Sequence, residues 1–426
     1  MLKNHPKGLM VLFFTEMWER FGFYTMLAVF TLYMDQTLGW SEGFKGQIYG
    51  FFMAGVYFTP IAGGWIADRY LGFRKTIIIG AIILGIGYAL LSLSGPGRIW
   101  IFFVALAIMV IGNGMFKANI SVLVGNLYET GSILKDAGYN IFYMGINVGA
   151  LLAPIAATLL HSYFGNYNSA FAAAAVGMFF SLLVFEIWKK KYMHADHYVK
   201  SASENKVVEE KVSPEIEKAR IGALLTIFAI VIFFWMSFHQ NGFALTLFAE
   251  RSTVILNWLK PETYQIFNPL FILIITPLIV IFWNWLGKRG KEPSTPAKIG
   301  LGMFISGLSM LVMVAASLQG GNADANDMGP GWLISTYFVV TFGELCLSPM
   351  GLSFVSKVAP VRLRGLMMGG WFGATAAGNY LSGLFGGFYS TLPHHLFYGF
   401  LALLLFLSAL ILRIFLKRLK LATAGT

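Results

Sequence analysis

The chain has 426 residues, 57% of them apolar and 12% charged, with a mean hydropathy of +0.68. A soluble domain runs nearer ~45–50% apolar and ~25% charged, so this composition excludes one and leaves room for about a dozen membrane helices of ~20 residues. The net charge of +11 would suit a nucleic-acid partner, but the positions of the basic residues argue against one.

Twelve spans are predicted in chain order: 8–34, 46–67, 76–94, 99–126, 137–161, 168–187, 220–248, 266–286, 298–318, 332–356, 365–390 and 395–416. The first run is too long for a signal-peptide core and lacks a small-residue cleavage site, so no cleavable signal is expected. With loops assigned alternately to the two sides, 25 of the 31 Lys and Arg fall on the side of the N-terminus. Four (Lys45, Arg98, Arg251, Lys260) fall on the other, and Arg20 and Lys117 lie inside spans. This asymmetry places both termini in the cytoplasm and makes the basic balance a topology signal.

Residues 188–219 are polar, mixed in charge and without a span. They divide the chain into an N-terminal six-helix bundle (1–187), a cytoplasmic linker (188–219) and a C-terminal six-helix bundle (220–426). Two such halves suggest a parallel repeat with a substrate cavity between them. Glycine-rich runs such as 369–387 suit close helix packing. Pro60, Pro154, Pro269 and Pro349 are positions for kinks.

Ionisable residues within spans are the informative set, because a charge at the bilayer centre costs roughly 2.5–3.5 kcal/mol. The first span, GLMVLFFTEMWERFGFYTMLAVFTLYM, holds Glu16, Glu19 and Arg20. At ~100° per residue these three share an arc of ~140° with Phe23, Tyr24 and Leu27. The span is therefore expected to turn a charged stripe inward and a Leu, Val, Phe and Met face to lipid. Lys117 and Glu344 lie in later spans, and His239 is a further titratable candidate. Glu16, Glu19, Arg20, Lys117 and Glu344 sum to one excess carboxylate, a motive for taking up one proton or one cation. A static buried salt-bridge network is the alternative, and an expensive one in hydrocarbon.

A cation cluster with a separate carboxylate suits a zwitterion. Arg20 can hold a carboxylate with its planar fork, Lys117 adds a point charge, and Glu344 can meet an ammonium. The amides of Asn147, Gln240 and Asn268 can pair with ligand amide or amine groups. Tyr24, Tyr57, Tyr143, Trp235, Trp371 and Phe372 can line pockets, although any one of them is more often core or an interface anchor. The chain shows no phosphate-binding loop, no metal-ligand spacing among its seven histidines and no catalytic constellation. The single Cys346 reads as a small core residue. Neither an enzyme, a metal nor a cofactor is expected; the coupling ion would be the proton.

TEMWERFGFYTM at 15–26 resembles the Glu-x-x-Glu-Arg-Phe signature of the proton-dependent oligopeptide transporters. GNGMFKANISVLVGNLY at 112–128 and DAGYNIFYMGINVGALLAPI at 136–155 are similar to further hallmark segments of that family, and GGWIADRYLGFRK at 63–75 resembles the loop motif of the wider major facilitator superfamily. FFWMSFHQNG at 233–242, FNPLFI at 267–272 and GELCLSPMGLSFVS at 343–356 match segments of the second half. The resemblance implies an all-α, major-facilitator-like protein that imports di- and tripeptides with protons. Arg20 and Lys117 would then engage the peptide carboxylate, and Glu344, Asn147 and Asn268 its amino end. Glu16 and Glu19 with Arg20 would form the proton-linked cluster, with Lys117 and Glu344 taking part. Tyr24, Tyr57, Tyr143, Trp235 and Trp371 would shape the cavity, and Asp68, Arg69 and Arg74 would form a cytoplasmic latch.

Three departures stand out. Many family members carry an Arg where this chain has Leu27, and an acidic residue where it has His239; the two family residues are thought to pair. His239 is either a proton-responsive substitute or a neutral polar residue. The chain also lacks extra helices between its halves and a large external domain, which suits a minimal bacterial carrier of the cytoplasmic membrane, expected to act as a monomer in the lipid bilayer. A carrier for another small zwitterion or organic anion is the second reading, and a transport-inactive peptide sensor a third.

Overall fold

The structure is a computed structural model that describes residues 5–129, 132, 134–196, 214–360 and 363–423. Among these the chain is helical, with only two isolated β-bridges. Twelve helices have 20 residues or more: α1 (Gly8–Leu32), α2 (Glu42–Ile66), α3 (Phe73–Ser92), α4 (Ile99–Asn126), α5 (Leu134–Phe164), α6 (Asn168–Ile187), α7 (Pro214–Phe238), α9 (Phe267–Lys288), α10 (Thr295–Gln319), α11 (Gly331–Val358), α12 (Arg364–Gly386) and α13 (His394–Thr423). The short α8 is Ala244–Arg251. Ten segments are long and apolar enough to cross a bilayer. Of the long helices, α1 stands outside that set because of its three charges, and α12 because of its glycines and Asn379.

Two sequence expectations are corrected. The seventh span is broken: α7 stops at Phe238, residues His239–Gly242 form a 3₁₀ turn, and α8 follows. Apolar residues on both sides hide the break in the sequence. Pro269 kinks nothing, because it lies in the first turn of α9, where a missing N–H is tolerated; Pro277 is the interior proline. The less buried residues of α1 (Met10, Phe13, Phe14, Trp18, Phe21 and Tyr24) share one arc of ~140°, centred well away from the charged stripe.

The chain forms two compact units. The first comprises residues 1–40 and 55–205, the second 41–54 and 206–426, so the division falls within α2. Of the polar stretch 188–219, residues 197–213 lie outside the described residues; residues 188–196 make two short 3₁₀ turns anchored by the buried Tyr192.

In the first unit α1 packs on α5 and α6, and α3 on α4 and α6. Close approach sets these seams: a Cβ on Gly149 of α5 would strike the Met17 carbonyl of α1, and Ser181 of α6 donates to Thr15 O at 2.7 Å. In the second unit α10 packs on α11 and α13, and α7 on α12 and α13. There the first half of α2 lies against α12 backbone to backbone, Gly46 and Gly50 against Gly383. Small residues allow such contact where there is no hydrophobic drive between helices.

Candidate functional site

In the first unit, Glu16, Glu19 and Arg20 are 2%, 0% and 3% exposed, so the charged stripe of α1 is sealed. Arg20 Nε donates to Glu16 Oε1 at 2.9 Å, across one helical turn, and lies 2.6 Å from Glu19 Oε2. A single guanidinium edge thus serves both carboxylates. Its Nη2 is buried and has no hydrogen-bond partner. Tyr24, one turn on, is half-buried, and its charge state is felt at Arg20.

Lys117 comes from α4, and GNGMFKAN explains how it is held. Gly114 packs onto Gly63 and Thr59 of α2, a contact any side chain would block. Asn113 Nδ2 donates to Val56 O at 2.8 Å, and Asn119 Nδ2 to Gly63 O at 3.2 Å. These two amides strap α4 to α2 on either side of Lys117. Its Nζ stands 4.0 Å from the centre of the Tyr57 ring, and its charge is felt at Glu16 and Glu19. The charges of Glu16, Glu19, Arg20 and Lys117 sum to zero.

Asn147 of α5 is buried, but its Nδ2 donates to its own helix at Tyr143 O, 2.9 Å away; Tyr143 itself is exposed. Sequence reasoning missed Tyr88 of α3. It is fully buried, its hydroxyl lacks a hydrogen-bond partner, and it lies within electrostatic reach of Glu19 and Arg20. A lone Tyr in an apolar span carries no pattern that could have revealed it.

In the second unit Glu344 of α11 is 9% exposed and accepts a hydrogen bond from Asn268 Nδ2 of α9 at 2.9 Å. The same amide donates to Thr341 Oγ1 at 3.0 Å. No cation pairs with Glu344 among the described residues. Trp235 stacks on His239 at 5.6 Å between ring centres, and the His239 carbonyl accepts from Tyr49 at 3.2 Å. Trp371 is buried against Phe228 and Gly351. Gln240 is spent tying α7 to α12, donating to Ser382 O at 3.0 Å. At the start of α2, Glu42 accepts from Arg251 Nη2 at 2.8 Å, and buried Lys45 lies 3.4 Å from the same oxygen.

Arg74, in the first turn of α3, donates from Nη2 to both carboxylate oxygens of Glu186 of α6 at 2.6 and 2.7 Å, and its backbone N–H donates to Asp196. Asp68 and Arg69 are exposed, with Arg69 over the Trp65 ring. Of these three residues, only Arg74 is joined to another helix by an ion pair among the described residues. Burial pushes the neighbouring Tyr192 phenol up.

Paired helical units that sequester ionised side chains inside their spans define a membrane transporter of the major facilitator type. The chain belongs to the POT family, whose profile matches residues 74–213 and 188–396. A di-/tripeptide transporter of Lactococcus lactis subsp. cremoris is 32% identical, over 87% of this chain and 86% of its own length. An uncharacterised transporter of Bacillus subtilis is 33% identical, over 94% and 92%. A crystal structure of a POT peptide transporter in complex with alafosfalin superposes with a TM-score of 0.89 at 32% identity, over 100% of this chain and 97% of that one. A POT family transporter in complex with 5-aminolevulinic acid superposes with a TM-score of 0.87 at 27% identity, over 98% of each chain. The protein is a polytopic membrane carrier and not an enzyme.

Proposed function

We propose that the chain imports di- and tripeptides with protons, presenting its site to one side of the membrane at a time, in a bacterial cytoplasmic membrane with both termini cytoplasmic. It acts as a monomer, with the proton as coupling ion and no cofactor. The observation that carries this reading is the distribution of charge. The cluster on α1 and α4 is balanced, whereas Glu344 has a neutral amide for its partner. An uncompensated carboxylate in a membrane is the costly member, and either a proton or a ligand ammonium removes that cost. Glu344 and Asn268 therefore take the peptide's amino end. Arg20, through its unused Nη2, and Lys117 take its carboxylate. A proton on Glu16 or Glu19 frees Arg20 from its own helix, and the freed guanidinium accepts the peptide. Tyr24, Tyr57, Tyr143, Asn147, Trp235 and Trp371 shape the space for side chains, and His239 responds to the proton beside them.

The test is uptake of a labelled dipeptide into proteoliposomes under an inward proton gradient. Uptake indifferent to a protonophore would overturn the coupling. A second reading, a carrier of other small zwitterions, is favoured by Leu27 and His239 and by the 5-aminolevulinic acid in the related structure. Competition between dipeptides and 5-aminolevulinic acid separates the two. Peptide binding without any transport would mark a sensor.

A further inference from the structure

A groove of about 690 Å³ runs between α10 and α13 in the second unit. Pro296, Gly300 and Phe304 line it from α10, and Phe406, Leu410 and Arg413 from α13. The helices run antiparallel: Gly300 faces Leu412, and the Phe304 and Phe406 rings lie 5.4 Å apart. Arg413 therefore stands at the Pro296 end, and the two phenylalanines lie at the far end. From Pro296 to Phe304 the groove runs for ~12 Å. That is close to the depth of one leaflet, half of a ~30 Å hydrocarbon core. Gly300 keeps it open. A Cβ there would meet nothing nearer than Leu412 at 3.7 Å, so a longer side chain would extend into the groove.

The Arg413 end is rich in positive charge. Lys288, Arg289 and Lys291 precede α10, and the one acid among them, Glu292, is taken by Lys298 at 2.5 Å. Arg413 is exposed and makes no hydrogen bond or ion pair among the described residues.

We propose that this groove is a binding site for an anionic glycerophospholipid, with one acyl chain along Gly300 and the phosphate at Arg413. A free phosphate has no use for ~12 Å of apolar wall. A zwitterionic lipid would bring a second cation to an end already rich in them. An anionic headgroup satisfies both the wall and the charge.

Protein reconstituted into nanodiscs of equal phosphatidylglycerol and phosphatidylcholine, then examined by native mass spectrometry, provides the test. The unaltered chain should retain one phosphatidylglycerol. Arg413→Gln should lower the preference for phosphatidylglycerol over phosphatidylcholine about fivefold, the weight of one arginine at an anionic surface. Gly300→Leu should remove the retained lipid of either kind. This variant replaces a helical glycine with a strong helix former and meets no backbone atom, so its fold should survive; circular dichroism checks that. Three results would overturn the proposal: phosphatidylglycerol retained equally by both variants, the two lipids held by the unaltered chain in the ratio of the nanodisc, or a dimer that Gly300→Leu converts to monomer, which would give the groove to a second copy of the chain.

Discussion

Glu344→Gln separates transport from accumulation. The substitution keeps the shape of the side chain and leaves an acceptor for Asn268, now 2.9 Å from the carboxylate oxygen. What changes is the strength of that bond. A hydrogen bond to a charged group contributes about 1.5–3 kcal/mol and one to a neutral group about 0.5–1.5, so roughly 1 kcal/mol is lost there. Removing an uncompensated buried carboxylate offsets that loss, and thermal stability in detergent should hold or rise. The effect on transport is far larger. One proton moving through 100 mV supplies about 2.3 kcal/mol, enough for roughly 50-fold accumulation of a co-transported neutral peptide. In proteoliposomes with an imposed potential, Glu344→Gln should bring accumulation down to equilibration while counterflow exchange persists. Undiminished accumulation by this variant would refute a part for Glu344 in proton coupling. A fall in stability as large as the fall in transport would refute the charge argument behind it.

Four other outcomes are expected. Lys117→Ala should raise the peptide Kd ten- to a hundredfold in a direct binding assay, the loss of one charged hydrogen bond; Glu16→Gln should spare binding and counterflow while abolishing proton-driven uptake. Gly114→Ala would place a Cβ 2.6 Å from that of Thr59 and should cost about 1–3 kcal/mol, read as a lower melting temperature of the detergent-solubilised carrier. Arg251→Ala removes the nearer of the two partners of Glu42, a partly exposed ion pair worth at most about 1 kcal/mol, and should speed hydrogen exchange over residues 42–50 by up to about fivefold; unchanged exchange there would show that the glycine seam and Lys45 suffice to hold this stretch.

The span count and the ionisable residues were legible because both are one-dimensional signals: apolar length, basic asymmetry and charges where none should be. The stripe on α1 was legible because its charges and its apolar residues each recur at the helical period. The break at His239 was hidden because FFWMSF and FALTLF are both apolar and no proline marks the turn. Gly46, Gly50 and Gly383 looked like generic packing residues. Their meaning depends on each other, and a pairing across more than 300 positions leaves no local trace. Asn113 and Asn119 were visible within a hallmark segment, yet only the carbonyls of Val56 and Gly63 show what they do.

The two cations of this cluster are held by different means. Arg20 stands against two glutamates of its own helix, so at any distance beyond a few ångströms the three act as one net negative charge. Lys117, half-buried, rests on a ring face that carries no formal charge. Its positive charge is balanced only across the cluster, by the excess carboxylate of α1. An approaching anion would therefore sense α4 before α1 and be drawn first to the lysine. Contact with the arginine would come second, once a proton had opened it. The order of capture would then be built into the chemistry of the counterparts, with Tyr57 deciding which cation recruits and the glutamates deciding which one waits.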